Sequence, residues 1–341
     1  MSLPALMARG AAFLGAEHAI LCGAMSWVSE RHLVSAISNA GAFGVIACGA
    51  MQPARLAEEI VATQALTARP FGVNLITMHP ELEALLDVCI AHRVGTIIFA
   101  GGIPSGAIMA RARAAGQKII CFAPTLALAR RLIRAGADAL VIEGSEAGGH
   151  IGPVSLQVLA QEILPHVKDV PVFVAGGIGR GEAILSFLEM GAAGVQLGTR
   201  FVCATECIAH PKFKAAYIRA QARDAVPSVQ LDEQFPVVPV RALRNAATAR
   251  FMRHQAEVLA KFQSGALSKD AAQLDIEHFW AGALRRAVVD GDVEEGSLMA
   301  GQSVGLVTRE QSVAEIIAEL LQQAEDARAA RSAFASTAPL G

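Results

Sequence analysis

The chain has 341 residues, 53% of them apolar and 18% charged, with a formal net charge of −2 and a mean hydropathy of +0.42. That length supports a large buried core, in one large domain or two ordinary ones. No basic cluster stands out and aromatics make up only 5%, which argues against a nucleic-acid interface; every apolar run is interrupted before the roughly 18 residues a membrane span needs.

In chain order, MSLPALMARGAAFLGAEHAIL comes first and places Arg9, Glu17 and His18 where a signal peptide requires unbroken apolar sequence, so a cytoplasmic protein is expected. Short apolar, often β-branched segments then recur: AILCGAM (19–25), FGVIACG (43–49), FGVNLI (71–76), TIIFAGG (96–102), KIICFAP (118–124), ALVIEG (139–144), VPVFVAGG (170–177) and GVQLGTRF (194–201). Near-continuous runs of this kind suit strands buried on both faces. Between them lie helical spacings such as ARLAEEIVATQAL (54–66), ELEALLDVCIAH (81–92) and LALARRLIRAG (126–136), with Gly95, Gly116, Gly136 and Gly191 as expected helix stops. Eight strand–helix units predict a (β/α)8 TIM barrel, with an open doubly wound sheet as the alternative.

After the eighth strand the rhythm changes. Residues 207–296 read mostly as helices, interrupted by SVQLDEQFPVVPVRAL (228–243), and predict a smaller helical cap over the barrel mouth. Residues 1–206 and 297–341 are then the barrel, with SVAEIIAELLQQAEDARAA as its last helix and the tail RSAFASTAPLG frayed. His210, before Pro211, marks a helix start. The six cysteines form no CxxC pair; Cys203 and Cys207, one helical turn apart, read as small buried hydrophobes rather than a reactive pair.

Functional groups of a barrel collect at the C-terminal ends of its strands. Gly23–Met25, Asn74, Gly101–Gly102, Glu143–His150, Gly176–Gly177 and Gly198–Thr199 all follow predicted strand ends. In EGSEAGGHIG, Gly148 and Gly149 strip bulk from in front of His150, which suits a ligand lying close to the backbone with an imidazole held over it. VAGGIGRGEA and LGTRF follow the seventh and eighth strands, where backbone N–H groups can hold a phosphate, with the Thr199 hydroxyl as an added donor. GGIGRG sits too late in the barrel for a dinucleotide fingerprint. Asn74 is either a contact to a heterocycle edge or a local turn bond; Met25 either packs on a ring or fills core. Glu146 is either a partner of His150 or a turn cap. No second His, Cys or carboxylate has ligand spacing around His150, so no metal is expected.

Taken in order, CGAMSWVS, SNAGAFGVI, RPFGVN, EGSEAGGHIG, AGGIGRG, QLGTRF and GDVEEGSLMAGQ resemble the FMN-dependent barrel family of nitronate monooxygenases (formerly 2-nitropropane dioxygenases), which includes flavin-dependent enoyl-acyl-carrier-protein reductases. The resemblance implies FMN across the barrel mouth, its phosphate at Gly176, Gly177, Gly198 and Thr199. Gly23, Ala24, Met25 and Asn74 would border the ring, with Glu143 and Gly149 among the cofactor contacts, and His150 would be the catalytic histidine. It implies oxidation of alkyl nitronates with O2, with His150 as base or substrate orienter; the alternative is an NAD(P)H-dependent reductase of enoyl thioesters. A homodimer is the family-level expectation. Two departures matter. Cys22-Gly23-Ala24-Met25 replaces the family's usual Gln and paired glycines before the Met, which removes a Gln contact. GDVEEGSLMAGQSVGLV and FAPTLALARRL look more like the enoyl-reductase branch. Outside the family, a flavin-free sugar-phosphate lyase or isomerase would need a strand-end base, for which Glu143 is the one carboxylate on offer; a non-catalytic flavin-binding barrel would bind without turnover.

Overall fold

The computed structural model describes residues 1–232 and 237–337, with side chains to residue 332. In chain order the strands are β1 (Ile20–Cys22), β2 (Gly44–Ala47), β3 (Phe71–Ile76), β4 (Thr96–Ala100), β5 (Lys118–Phe122), β6 (Ala139–Glu143), β7 (Gly149–His150), β8 (Val172–Ala175), β9 (Gly194–Leu197), β10 (Ala225–Pro227) and β11 (Val240–Leu243). Eight of these form one parallel sheet in the order β1-β9-β8-β6-β5-β4-β3-β2. The sheet closes on itself: Leu21 bridges Phe43, the Cys22 N–H donates to the Phe43 carbonyl and the Phe43 N–H to that of Ile20, both at 2.9 Å. The fold is the expected (β/α)8 barrel, and each predicted strand is one of its staves. β1, β2, β8 and β9 are buried at every residue, which is why their sequences run apolar without alternation, Gln196 in β9 excepted.

The predicted helices are present at Pro53–Leu66, Leu82–Ala91 and Leu126–Ala135. Gly116, Gly136 and Gly191 hold φ of 78°, 108° and 103° at helix ends, as expected. Gly95 does not. After Leu82–Ala91 the left-handed position is taken by Arg93, with φ of 54°, and Val94 N–H returns to the Cys89 carbonyl at 2.9 Å. The chain therefore closes this helix two residues before the glycine, on a residue that pays a steric cost there.

One element lies outside the sequence reading. Leu3–Leu14 is a helix, started by Ser2, whose hydroxyl accepts from Ala5 N–H, and ended by Gly15 at φ of 70°. Gly10 lets it lie against the barrel, since a Cβ there would stand 2.1 Å from the Ala193 carbonyl oxygen. The last helix, Val313–Thr337, packs against Gly181–Glu189 and against the first barrel helix, Arg31–Asn39. Gly181 makes that approach possible: its Cβ would meet the Leu320 carbonyl at 2.0 Å, and its N–H donates to Gln323 Oε1 at 2.9 Å. The tail expected to fray is helical to Thr337, because it continues a helix already docked on the barrel; residues 338–341 lie outside the described residues.

In the insertion after β9, His210 caps Pro211–Arg219 through Nδ1, which accepts from Lys212 N–H at 3.1 Å. Helices Ala246–Gln263 and Lys269–Val288 form a hairpin around an apolar cluster of its own: Val237, Val240, Phe251, Val258, Ala272, Ile276 and Trp280. The interrupting segment 228–243, of which 233–236 lie outside the described residues, supplies β11. There β11 pairs antiparallel with β10 on one side and with β7 on the other, setting Val240 opposite His150 and Arg241 opposite Gly149. A three-stranded sheet therefore joins the cap to the loop that carries His150.

Candidate functional site

Strand ends of the barrel converge on one mouth. Along the neighbouring strands β6, β8, β9 and β1 stand Glu143, Gly176–Gly177, Gly198–Thr199 and Gly23–Met25. Adjacent members touch. Gly23 N–H donates to the Leu197 carbonyl at 2.8 Å, and a Cβ on Gly198 would lie 3.4 Å from Met25 Sδ. Gly176, at φ of 99°, passes so close to the β6 loop that a Cβ would meet the Gly144 carbonyl at 3.0 Å. Gly177, at φ of 69°, lies against Glu146. Consecutive left-handed residues admit glycine and little else.

The His150 loop is fixed by neighbours distant in sequence. Gly148 lies against Ala300 and Gly301, where a Cβ would stand 2.5 Å from Gly301 N. Gln302 N–H donates to the Glu146 carbonyl, and Gly301 N–H to Thr199 Oγ1, both at 2.9 Å. Much of the glycine content before His150 therefore serves backbone packing against the 297–302 segment. Gly149, at φ of 78°, is the part that faces Met299. Arg241 pins the loop from the cap side: its Nε and Nη2 donate to the Ser145 carbonyl at 3.0 and 2.9 Å, and its Nη1 to that of Ala225 at 2.6 Å.

Of the open alternatives, Glu146 resolves as a cap: its carboxylate accepts from Leu156 N–H at 3.0 Å, at the start of helix Leu156–Ile163. The partner of His150 is instead Glu277, on the cap helix Lys269–Val288, with Nε2 3.1 Å from Oε1. Asn74 Nδ2 donates to the Ile98 carbonyl at 3.2 Å on neighbouring β4, a bond across strands rather than a turn bond. With β2 between β3 and β1, Asn74 stands apart from the arc that runs from Glu143 to Met25. Glu143 has neither a hydrogen bond nor an ion pair among the described residues, and burial pushes its carboxyl up to about 8. Cys203 and Cys207 are buried free thiols that burial raises to about 12 and about 11, the inert state expected of small hydrophobes.

Four contributors escaped the sequence reading. Ser29 ties the first loop, donating to the Gly23 carbonyl and accepting from Met25 N–H, both at 3.0 Å. Gln196, only 8% exposed, has no side-chain hydrogen bond among the described residues and lies beside Gly23. The other two, Arg241 and Glu277, come from the cap. A lone arginine inside PVVPVRAL was the visible signal for Arg241; nothing local marks Glu277. An open cavity of about 380 Å³ is lined by Gly177, Glu146, Gln221, Gln302, Ser303 and Leu306. None of His150, Met25 and Asn74 lines it.

The nitronate monooxygenase family model matches residues 9–85 and 80–323. A "(3aS,4S,5R,7aS)-5-hydroxy-7a-methyl-1-oxo-octahydro-1H-indene-4-carboxyl-CoA dehydrogenase" of Rhodococcus jostii (strain RHA1) is 30% identical over 315 residues, covering 86% of this chain and 89% of that protein. Among solved structures, FabK from Thermotoga maritima is 35% identical with a TM-score of 0.85, over 96% of this chain and 98% of FabK. Nitroalkane oxidase from Streptomyces ansochromogenes is 28% identical with a TM-score of 0.75, over 91% and 96%.

Proposed function

The chain belongs to the nitronate monooxygenase family, and on that premise we propose that it is an FMN-dependent oxidoreductase that oxidises alkyl nitronates with O2, with His150 as base or substrate orienter. The observation that carries this reading is the placement of His150. Its backbone is paired to β11, its ring is held by a carboxylate, and its loop leaves the C-terminal end of β6, where Gly144 lies against Gly176. In this reading residues 1–206 and 297–341 make the flavin-binding barrel and residues 207–296 the cap, in a cytoplasmic homodimer.

Enzymes of this family use a flavin, and the residues at the mouth fit one. Gly176 and Gly177 form a concave turn in which side chains would collide, suited to a phosphate. Thr199 Oγ1 accepts from Gly301 N–H, which leaves its own hydrogen to donate to a phosphate oxygen. The unpartnered Gln196 amide and the Glu143 carboxyl, which at its raised pKa carries a proton near neutrality, offer donors to a heterocycle edge. Gly23, Ala24, Met25 and Gly149 would border the ring; Asn74 would reach it from the far side of the mouth. Bound FMN would supply the redox chemistry, taking electrons from the organic substrate and passing them to O2. The chain's own part is to hold the substrate, keep water out beneath the cap and move a proton at the His150 ring.

A second reading has a specific support. FabK, an enoyl reductase, is the more similar of the two solved structures in identity and TM-score, and the Rhodococcus relative is named for a carboxyl-CoA substrate. In that reading NAD(P)H is the electron donor, and His150 orients or protonates an enoyl thioester. One experiment separates the two: mix the yellow protein anaerobically with an alkyl nitronate, NADPH or NADH and follow the flavin's visible absorption. Bleaching by the nitronate alone is the expected result. Rapid bleaching by a nicotinamide, followed by reoxidation with an enoyl-CoA, replaces it with the second reading. In either case His150→Ala should lower turnover by roughly 10²–10⁴-fold with flavin content and Tm unchanged. Retained turnover removes His150 from the chemistry.

A further inference from the structure

We infer that Glu277 is a positioning residue for His150, fixing its ring orientation and its tautomer from the cap; the inference rests on the role proposed above for His150. The contact joins two backbones that are each held independently. His150 lies in β7, opposite Val240, and the next residue continues the grip, Ile151 N–H donating to the Pro239 carbonyl at 2.9 Å. Glu277 is flanked on its helix by Ile276 and Trp280, 2% and 4% exposed in the cap's apolar cluster. Packing thus holds both backbones in place, and from them the two side chains meet with Nε2 3.1 Å from Oε1.

Energetics point the same way. The two side chains are 42% and 36% exposed, and an ion pair this open to water contributes little to stability. Its effect falls on the imidazole. A carboxylate only accepts, so a neutral ring bonded to it through Nε2 must carry its proton on Nε2, which leaves the lone pair on Nδ1. Nδ1 is then the atom that takes a substrate proton or hydrogen bond. Glu146, the other carboxylate near the loop, is committed to Leu156 N–H and offers no substitute.

The test uses the flavin-loaded protein labelled with ¹⁵N-histidine, His150 being assigned by the signal missing in His150→Ala. Long-range ¹H–¹⁵N correlations distinguish the two neutral tautomers. The wild type should show His150 protonated at Nε2 alone. In Glu277→Gln the amide can either donate or accept, so the ring should become a mixture. The kcat, measured with whichever of the alkyl nitronate and NADPH reduces the flavin, should fall about tenfold while KM stays within about twofold, and Glu277→Asp should restore part of it. An unchanged tautomer in Glu277→Gln overturns the inference, as does a changed tautomer with kcat unaltered. If His150→Ala itself keeps its turnover, the reading of His150 fails and the inference fails with it.

Discussion

Around the barrel, every stave finds its hydrogen bonds in the next one and its side chains in a single continuous core that runs from Leu3 to Ala324. Between β11 and Val288 the chain instead builds a helical hairpin whose separate cluster numbers seven buried side chains among the described residues. It meets the barrel through a short sheet, Arg241, Glu277, Arg285, whose guanidinium lies 5.9 Å from the Trp27 ring centroid, and its last turn, where Leu284, Ala287 and Val288 join the barrel core. A small core buries a smaller fraction of its apolar surface and stabilises its element less. The hairpin beyond that last turn is therefore expected to open at lower cost than the barrel, and it is also the part that holds the partner of His150.

The largest expected effects test this difference directly. The chain has two tryptophans, Trp27 on the barrel loop and Trp280 in the cap cluster, so single-tryptophan variants report on each region. Phe173→Ala removes a fully buried barrel ring and should cost about 3–5 kcal/mol. It should shift the urea transition seen by both probes, because the cap rests on barrel loops. Ile276→Ala, in the cap, should cost about 2–4 kcal/mol and move the Trp280 transition much further than the Trp27 one. Equal shifts at both probes for Ile276→Ala would show one cooperative unit and break the comparison.

The same division explains what could be read in advance. Barrel strands such as Ile20–Cys22 and Val172–Ala175 are specified by their own composition, since burial on both faces forces a run of apolar residues. Helix starts at His210 and stops at Gly116, Gly136 and Gly191 are equally local. The His150 loop was legible as unusual, but its glycines were assigned to a ligand when Gly148 in fact accommodates the backbone at Gly301. Arg241 and Glu277 reach the site from more than 90 residues away along the chain. No periodicity encodes a contact of that kind. Ser29 and Gln196 escape for other reasons: Ser29 bonds within its own loop, to Gly23 and Met25, which no residue pattern announces, and the place of Gln196 beside Gly23 appears only once β1 and β9 are side by side.

A smaller effect probes the barrel mouth. Burial raises the Glu143 carboxyl from 4.5 to about 8, so across that window the folded chain keeps a proton that the unfolded chain has released. Its contribution is fully present below the unfolded value and is lost as pH rises through the folded one. Flavin-free protein should accordingly weaken between pH 5 and pH 9, and Glu143→Gln should remove on the order of 1–2 kcal/mol of that loss, less than the whole shift implies because the carboxyl is not sealed from water. Urea midpoints at the two pH values measure this. The effect belongs to the barrel, so the Trp27 probe should register it more strongly than the Trp280 probe. Identical pH dependence in wild type and variant would mean that the unfolded and folded carboxyls titrate alike.

The smallest expected effect comes from Arg93, where the chain holds a left-handed φ of 54° with an exposed side chain that makes no hydrogen bond or ion pair among the described residues. An L-residue in that region costs about 1–2 kcal/mol against the right-handed alternative, and glycine is free of that cost but loses more entropy on folding. The two terms oppose each other, so Arg93→Gly should gain only about 0.5 kcal/mol. Because the helix Leu82–Ala91 packs on β3 and the neighbouring barrel helices, the gain should raise the Trp27 transition and leave the Trp280 transition where it is. Arg93→Ala keeps the steric cost and so controls for the loss of the charge. If Arg93→Ala stabilises as much as Arg93→Gly, the strain is not in the backbone. The return of Val94 N–H to Cys89 would then close this helix at no cost, and the shift of the stop from Gly95 to Arg93 would carry no energetic penalty.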